Sequence, residues 1–267
     1  MVTIYQNYQD EPADVFLPLP EELACDFYAL EMENFSEDCD FFEQVIPKSG
    51  VILEMGCGTG RVARHLAHKN RPVTGIDISL PMLRLAVQHR HPHCSFLCMD
   101  MLAPAFRKFF DTILIPYNTL NLFTNPANIR RCLLGCRANL QRKGRLVIQL
   151  YIPTTDFREN HRTTFQFQMF NRPGGGRLIK EILTRYQPES QTVQLEDRFR
   201  VRPMQQGIAN EDYQVFSSIA GFSLGEWMAF FAAAGFTAEH IYGNYSCGSY
   251  DPTGSSCCLL VLKRQYI

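Results

Sequence analysis

The stretch Val51-Ile52-Leu53-Glu54-Met55-Gly56-Cys57-Gly58-Thr59-Gly60-Arg61 decides the reading of this chain. A short apolar run suited to a buried strand breaks into a turn in which every second residue is glycine. Glycines at positions 56, 58 and 60 let the backbone pass close to a ligand with no side chains in the way. The helix expected next, roughly residues 61–68, points its first unpaired amide groups at that ligand. The turn therefore implies a nucleotide-like cofactor at the carboxyl end of a strand, where open α/β sheets hold their ligands.

Two common cofactor classes fit poorly. The dinucleotide fingerprint needs glycine at its first, third and sixth positions, and Arg61 occupies the sixth. No Gly-Lys-Ser/Thr follows, so the phosphate-loop pattern is absent too. Downstream, Val73-Thr74-Gly75-Ile76-Asp77 is a second apolar strand ending in an acid, 21 residues after Gly56. A carboxylate there can accept both ribose hydroxyl protons, as any adenosine cofactor requires. Ser79 has the place of a helix cap, with Pro81 in the first turn and Met82, Leu83 and Ala86 on one face. A third strand, Ser95 to Met101, carries Asp100 at its end. Each acid alone reads better as a solvated turn residue or a cap; three at successive strand ends point to a cofactor cleft.

The run from Glu54 through Gly56, Gly58 and Gly60 resembles motif I of the class I S-adenosylmethionine-dependent methyltransferases. Asp77-Ile78-Ser79-Leu80-Pro81-Met82-Leu83 is similar to that family's Asp-x-Ser-x-x-Met-Leu pattern. Phe110-Asp111-Thr112-Ile113-Leu114-Ile115-Pro116-Tyr117-Asn118-Thr119-Leu120 is similar to its fourth core strand and the loop beside the reactive methyl group. Ala233-Ala234-Gly235-Phe236 resembles the end of its closing helix, and the likeness covers roughly residues 26–264. It implies a Rossmann-like α/β fold with a seven-stranded, mostly parallel sheet and helices on both faces, and S-adenosyl-L-methionine as cofactor. The implied cofactor contacts are Glu54, Gly56, Cys57, Gly58, Gly60, Arg61, Asp77, Ile78, Met82, Asp100, Met101 and Pro116. Asp77 would serve the ribose and Asp100 the adenine amino group. Tyr28, Tyr117 and Asn118 are expected around the methyl group and the acceptor. Relatives commonly carry Tyr-Asp in the lid; here Tyr28-Ala29 keeps only the tyrosine.

Around this core the chain divides into an N-terminal lid segment (residues 1–45), a cofactor-binding core (46–152 and 221–267) and an insertion (153–220). The lid reads as two helical pieces, residues 26–33 and 36–42, the second capped by Ser36. Tyr5 and Tyr8 are further candidates to fold over the cleft, with plain hydrophobic anchoring the blander role. Alternating apolar and polar residues in four segments of the insertion predict an antiparallel β-sheet, most simply a cover over the acceptor pocket, otherwise a dimer face or a plain stability element. Arg185 and Tyr186 on that sheet are candidates for a substrate carboxylate or phenol, and His161 and His240 read as surface residues. The core resumes at Phe222, where Ser223 and Glu226 have capping-box spacing and Phe222 and Trp227 that of a hydrophobic staple.

Composition narrows the function. Lys and Arg total 26 against 27 Asp and Glu, so no general field draws nucleic acid or an anionic membrane. No apolar run is long enough to span a bilayer, and residues 1–10 are unlike a secretory signal. Cytoplasmic residence is expected, with the ten cysteines reduced and mostly packed as small apolar residues. Neither the cysteines nor the seven histidines have metal-ligand spacing, so no metal is expected. The reaction this implies is in-line methyl transfer to an N or O atom of a small molecule, by a monomer or homodimer. Sulfur, carbon or a metalloid is a lesser option. A cofactor-binding sensor or partner subunit without catalysis is the alternative. A base-methylating enzyme would carry Asn/Asp-Pro-Pro-Tyr/Phe after the fourth strand, and Ile115-Pro116-Tyr117-Asn118 keeps only its Pro-Tyr part.

Overall fold

The computed structural model describes residues 15–265 apart from 90, 107–109, 161, 206 and 256, so Tyr5, Tyr8 and His161 lie outside the described residues. The described residues begin with a two-residue strand β1 (Leu17–Pro18), then helices α1 (Glu21–Glu31) and α2 (Glu37–Val45). An α/β run follows: β2 (Ile52–Met55), α3 (Arg61–His68), β3 (Val73–Asp77), α4 (Leu80–Gln88), β4 (Cys94–Cys98) and β5 (Phe110–Ile115). A 3-10 turn (Thr119–Leu122) leads to α5 (Pro126–Asn139) and β6 (Leu140–Leu150). Next come α6 (Thr155–Asn160) and four long strands, β7 (Thr164–Asn171), β8 (Arg177–Gln187), β9 (Thr192–Arg202) and β10 (Glu211–Ala220). Helix α7 (Leu224–Ala233), β11 (Phe236–Tyr242) and β12 (Cys258–Arg264) close the chain.

Seven strands form one sheet in the order β11-β12-β6-β5-β2-β3-β4. β12 runs antiparallel to both neighbours and the remaining pairs are parallel. This is the Rossmann-like sheet that the sequence implied. Its centre is apolar on both faces, as helix-covered parallel strands must be: all four residues of β2 and the last five of β6 are buried. α5 and α7 cover one face, with Trp227 and Phe231 fully buried, and α2 and α3 the other, with Phe41, Phe42 and Leu66. Strand order reverses at β2, between β3 and β5, and such a switch point opens a crevice at the carboxyl ends of the strands.

The second sheet, ordered β1-β10-β9-β8-β7, is antiparallel except where β1 joins β10. That fifth strand has no signal in the sequence, since two residues show no periodicity. α1 lies on this sheet through Phe27, which packs with Leu178, Phe199, Val201 and Tyr213. It starts at Glu21, five residues earlier than the sequence suggests, because Pro20 already holds the N-cap geometry at φ −62°. Ser36 stands at the N-cap of α2, but its side chain makes no capping bond. The capping box at Ser223 and Glu226 is present, with the Phe222 and Trp227 rings 5.6 Å apart. Among the described residues no helix is long and apolar enough to cross a membrane.

Candidate active site

At the switch point a cavity of about 470 Å³ opens between the glycine turn, the loop after β5 and helix α1. Eleven of the residues singled out from the sequence line it: Tyr28, Glu54, Gly56, Cys57, Gly58, Arg61, Asp77, Met82, Pro116, Tyr117 and Asn118. Four others do not. Gly60 is the left-handed N-cap of α3 (φ 74°), and a Cβ there would strike the Phe96 ring, so this glycine serves helix–sheet packing. Ile78 points outward at 73% exposure. Asp100 accepts a hydrogen bond from the Leu102 amide at 2.8 Å, and Met101 packs on the core under α5. The last three lie beyond the ends of β3 and β4, on the open rim rather than within the cavity.

The glycine turn is tightly built. Gly56 (φ 72°) lies against the Thr119 side chain, and a Cβ would overlap it. The Gly58 amide donates to Asp77 Oδ2 at 2.7 Å and the Ser79 amide to Asp77 Oδ1 at 2.9 Å. Each carboxylate oxygen retains a lone pair for a ligand donor. Glu54 is buried at the end of β2, and its Oε2 accepts no hydrogen bond. Burial pushes its carboxyl up to about 8, with the Arg61 guanidinium pulling the other way. An unpaired buried acceptor of this kind is costly unless a ligand donor reaches it.

Arg61 ties the turn to α2. Its guanidinium donates to both oxygens of the fully buried Asp38 on α2, at 2.5 and 2.6 Å, and to the Phe35 carbonyl at 3.0 Å. The bidentate geometry locks α2 onto the first residue of α3. Its Cζ also sits 5.1 Å from the Phe35 ring centre. Phe35 continues an aromatic wall: the Tyr28 and Tyr117 rings are 6.2 Å apart, Phe35 and Tyr117 6.0 Å, and Phe35 and Tyr245 5.6 Å.

The loop after β5 is held in an uncommon backbone conformation. Tyr117 (φ 47°) and Asn118 (φ 60°) are consecutive left-handed residues other than glycine. The Tyr117 amide donates to Gln149 Oε1 at 3.2 Å, and Gln149 Nε2 donates to the Tyr245 hydroxyl at 2.9 Å. Asn121, fully buried, donates to the carbonyls of Tyr151 (2.9 Å) and Ala220 (2.8 Å) and accepts from the Tyr151 amide (3.1 Å). It thereby joins the loop to β6 and to the end of the second sheet. Asn118 Oδ1 is buried and accepts nothing. Burial raises the phenols of Tyr28 and Tyr117, the latter to about 12, so they remain protonated donors at neutral pH.

Sequence reasoning missed Glu21, Ala24 and Cys25, which with Tyr28 form an i, i+3, i+4, i+7 stripe of α1 along the cavity. The stripe was readable in principle, but its mixture of Glu, Ala, Cys and Tyr has no hydrophobic contrast. Ile219 of β10 also reaches the lining, and nothing local marks it. Of the residues proposed on the insertion, Tyr186 is buried, and a Cβ on Gly221 would meet its ring at 2.9 Å; it is a packing residue. Arg185 lies in a separate depression of about 630 Å³ on the second sheet. His240 is exposed, its ring stacked on Tyr242 at 5.6 Å. None of the ten cysteines forms a disulfide. Among the described residues one group, Asp40, Glu43 and His65, has ligand atoms close enough for a metal, and it lies outside the cavity.

Residues 52–144 match the family model of the methyltransferase domain. The chain is 37% identical over 105 residues to the demethylmenaquinone methyltransferase of Thermotoga maritima, covering 38% of this chain and 44% of that one. It is 23% identical over 200 residues to the dTDP-3-amino-3,6-dideoxy-alpha-D-glucopyranose N,N-dimethyltransferase of Streptomyces fradiae, covering 75% of each. The chain spans less than half the length of the first curated relatives it matches. Among solved structures, DesVI of Streptomyces venezuelae superposes with a TM-score of 0.72 at 17% identity, covering 90% of this chain and 98% of that one. Sequence motif, family match and strand order agree: residues 52–144 match the model of a methyltransferase domain, and the sheet has the class I methyltransferase fold.

Proposed function

We propose that this protein is an S-adenosylmethionine-dependent methyltransferase that methylates an N or O atom of a small molecule. The observation that carries the reading is the lining of one cavity by the glycine turn, Glu54, Asp77 and the Tyr28–Tyr117–Asn118 cluster. The residues fit the cofactor on their own chemistry. Glu54 offers an unpaired buried carboxylate oxygen to an ammonium group, and Asp77 keeps lone pairs for two ribose hydroxyls. Gly58 leaves room in front of Tyr28, with a notional Cβ 3.7 Å from that ring. Ile78, Asp100 and Met101 on the rim would flank the adenine. When bound, the cofactor supplies a sulfonium methyl group, already a good electrophile.

The chain's own task is then alignment and exclusion of water. Tyr28 and Tyr117, both protonated, donate hydrogen bonds to the acceptor or face the methyl group, and neither serves as base. Asn118 Oδ1 is free to accept from the acceptor, and the Arg61–Asp38 pair keeps the lid helices over the turn. Supporting a small acceptor are the two structural neighbours described as sugar and amino-pentose methyltransferases, KedS8 and CalS10, which this fold resembles at 17% and 21% identity. The test is calorimetry with S-adenosylmethionine and S-adenosylhomocysteine, followed by turnover across amines, phenols and sugar nucleotides. Uptake of both ligands with methylation of an amine or hydroxyl is expected. Uptake without turnover across the panel would favour a sensor, and no uptake would end the reading.

A further inference from the structure

The loop after β5 and the end of β10 meet at the cleft. In the 3-10 turn Thr119–Leu122, residues three apart lie in line, so Leu122 shares the face of Thr119. The Thr119 side chain lies against Gly56, and both Thr119 and Leu122 line the cavity. The Asn121 amide closes the turn by donating to the Asn118 carbonyl at 2.9 Å. The buried Asn121 side chain donates to the Ala220 carbonyl at 2.8 Å. That bond holds the end of β10 against the turn and places Ile219, the residue before Ala220, in the same lining as Leu122.

Leu122 is 63% exposed although it lines the cleft, and Ile219 is half-buried. Two branched apolar side chains left in water within a concave site have burial still to gain, and a ligand can supply it. The lining beside them is of the same kind: the Tyr28 and Tyr117 rings, 6.2 Å apart, and the unpaired Oδ1 of Asn118. The charged side chains of the lining are engaged elsewhere. Glu21 accepts from Ser79 Oγ at 3.0 Å, and Asp77 accepts from two amides. Glu54 faces the cofactor's ammonium in the reading above. Among the described residues of the lining the one cation is Arg61, and it is turned to Asp38. An anionic acceptor would therefore meet carboxylates rather than a free positive charge.

We propose that Leu122 and Ile219 are the specificity-determining residues of the acceptor site, seating an uncharged apolar ring that carries a hydrogen-bond donor. The ring lies on the two aliphatic side chains, and its donor serves Asn118 Oδ1, four residues before Leu122 on the same loop. The inference rests on the methyltransferase reading and narrows it, excluding polyhydroxylated and phosphorylated acceptors. Their polar groups would lose water against Leu122 and Ile219 and find no partner there.

The test uses full-length protein saturated with S-adenosylhomocysteine and labelled with 13C in the methyl groups of leucine and isoleucine. The two signals are identified by their loss in Leu122→Ala and Ile219→Val. Phenol and aniline are titrated in turn, then glucose and phenyl phosphate at the same concentrations. Phenol and aniline should shift both signals to saturation, while glucose and phenyl phosphate should leave them in place. Leu122→Ala should weaken the binding of phenol and aniline about fivefold or more, through the lost apolar contact, with S-adenosylhomocysteine affinity unchanged. Unmoved Leu122 and Ile219 signals, an equal response to glucose or phenyl phosphate, or equal phenol and aniline affinity in Leu122→Ala would overturn the inference. Failure to bind S-adenosylhomocysteine in the unaltered protein would instead overturn the methyltransferase reading.

Discussion

The carboxyl edge of the seven-stranded sheet and the inward face of the second sheet both border one cleft, yet they are built on different rules. At the first, polar side chains hold the backbone: Asp77 takes the amides of Gly58 and Ser79, and Asn121 takes an amide and two carbonyls. At the second, side chains hold one another, as in the Lys180–Glu31 pair, or hold nothing, as at Asp197 Oδ1. A site that fixes a shared cofactor needs special backbone, hence glycines and capping acids at set spacings. The inward face of the second sheet is built instead from side chains on ordinary strands.

The comparison breaks most visibly at the joint between lid and glycine turn. Asp38→Ala leaves the Arg61 guanidinium without its buried partner and should destabilise the protein by about 3–5 kcal/mol, read by urea unfolding. A loss below about 1 kcal/mol would show that solvent takes over the pairing, making the lid a separate unit. Glu54→Gln comes next, with two effects of opposite sign. S-adenosylhomocysteine affinity should fall by about 10–100-fold in calorimetry, through loss of the charge-assisted bond to the ammonium. Ligand-free stability should rise. The Glu54 carboxyl ionises near 4.5 in the unfolded chain and near 8 in the fold, so the folded state holds the extra proton between those values. Stability from this group is therefore lost as pH rises through that window, and the glutamine variant escapes the loss. Melting temperatures at pH 5 and pH 8.5 check the sign: the variant's advantage should be larger at the higher pH.

The same contrast explains what could be read from the sequence alone. The succession of core strands along the chain, the glycine turn and Asp77 were legible because each depends on a local rule about backbone conformation or strand ends. Gly60 was legible as a glycine but not in its role, since contact with Phe96 arises only when β4 comes alongside. Asp100 followed the pattern of acids at strand ends, yet β4 stops at Cys98, and the aspartate turns to cap its own loop. β1, the α1 stripe and Ile219 carry no signature because tertiary packing alone places them.

Two smaller effects sharpen the boundary between the regions. Asn121→Ala removes the bonds that join the loop after β5 to β6 and to Ala220, and should cost about 2 kcal/mol in urea unfolding. Hydrogen exchange in that variant should quicken at residues 117–123, in the loop that Asn121 anchors. Phe165→Ser, on the outward face at 60% exposure, should change stability by less than about 0.5 kcal/mol. A larger loss would mean that this outer face is covered in solution.

The most direct test of the central claim, that the cleft at the end of β2 cradles an amino-acid-bearing adenosine, is a calorimetric titration of the purified protein with S-adenosylhomocysteine. The account predicts saturable uptake at one site per chain, abolished by Asp77→Ala. Absence of binding, or equal binding in that variant, would contradict it.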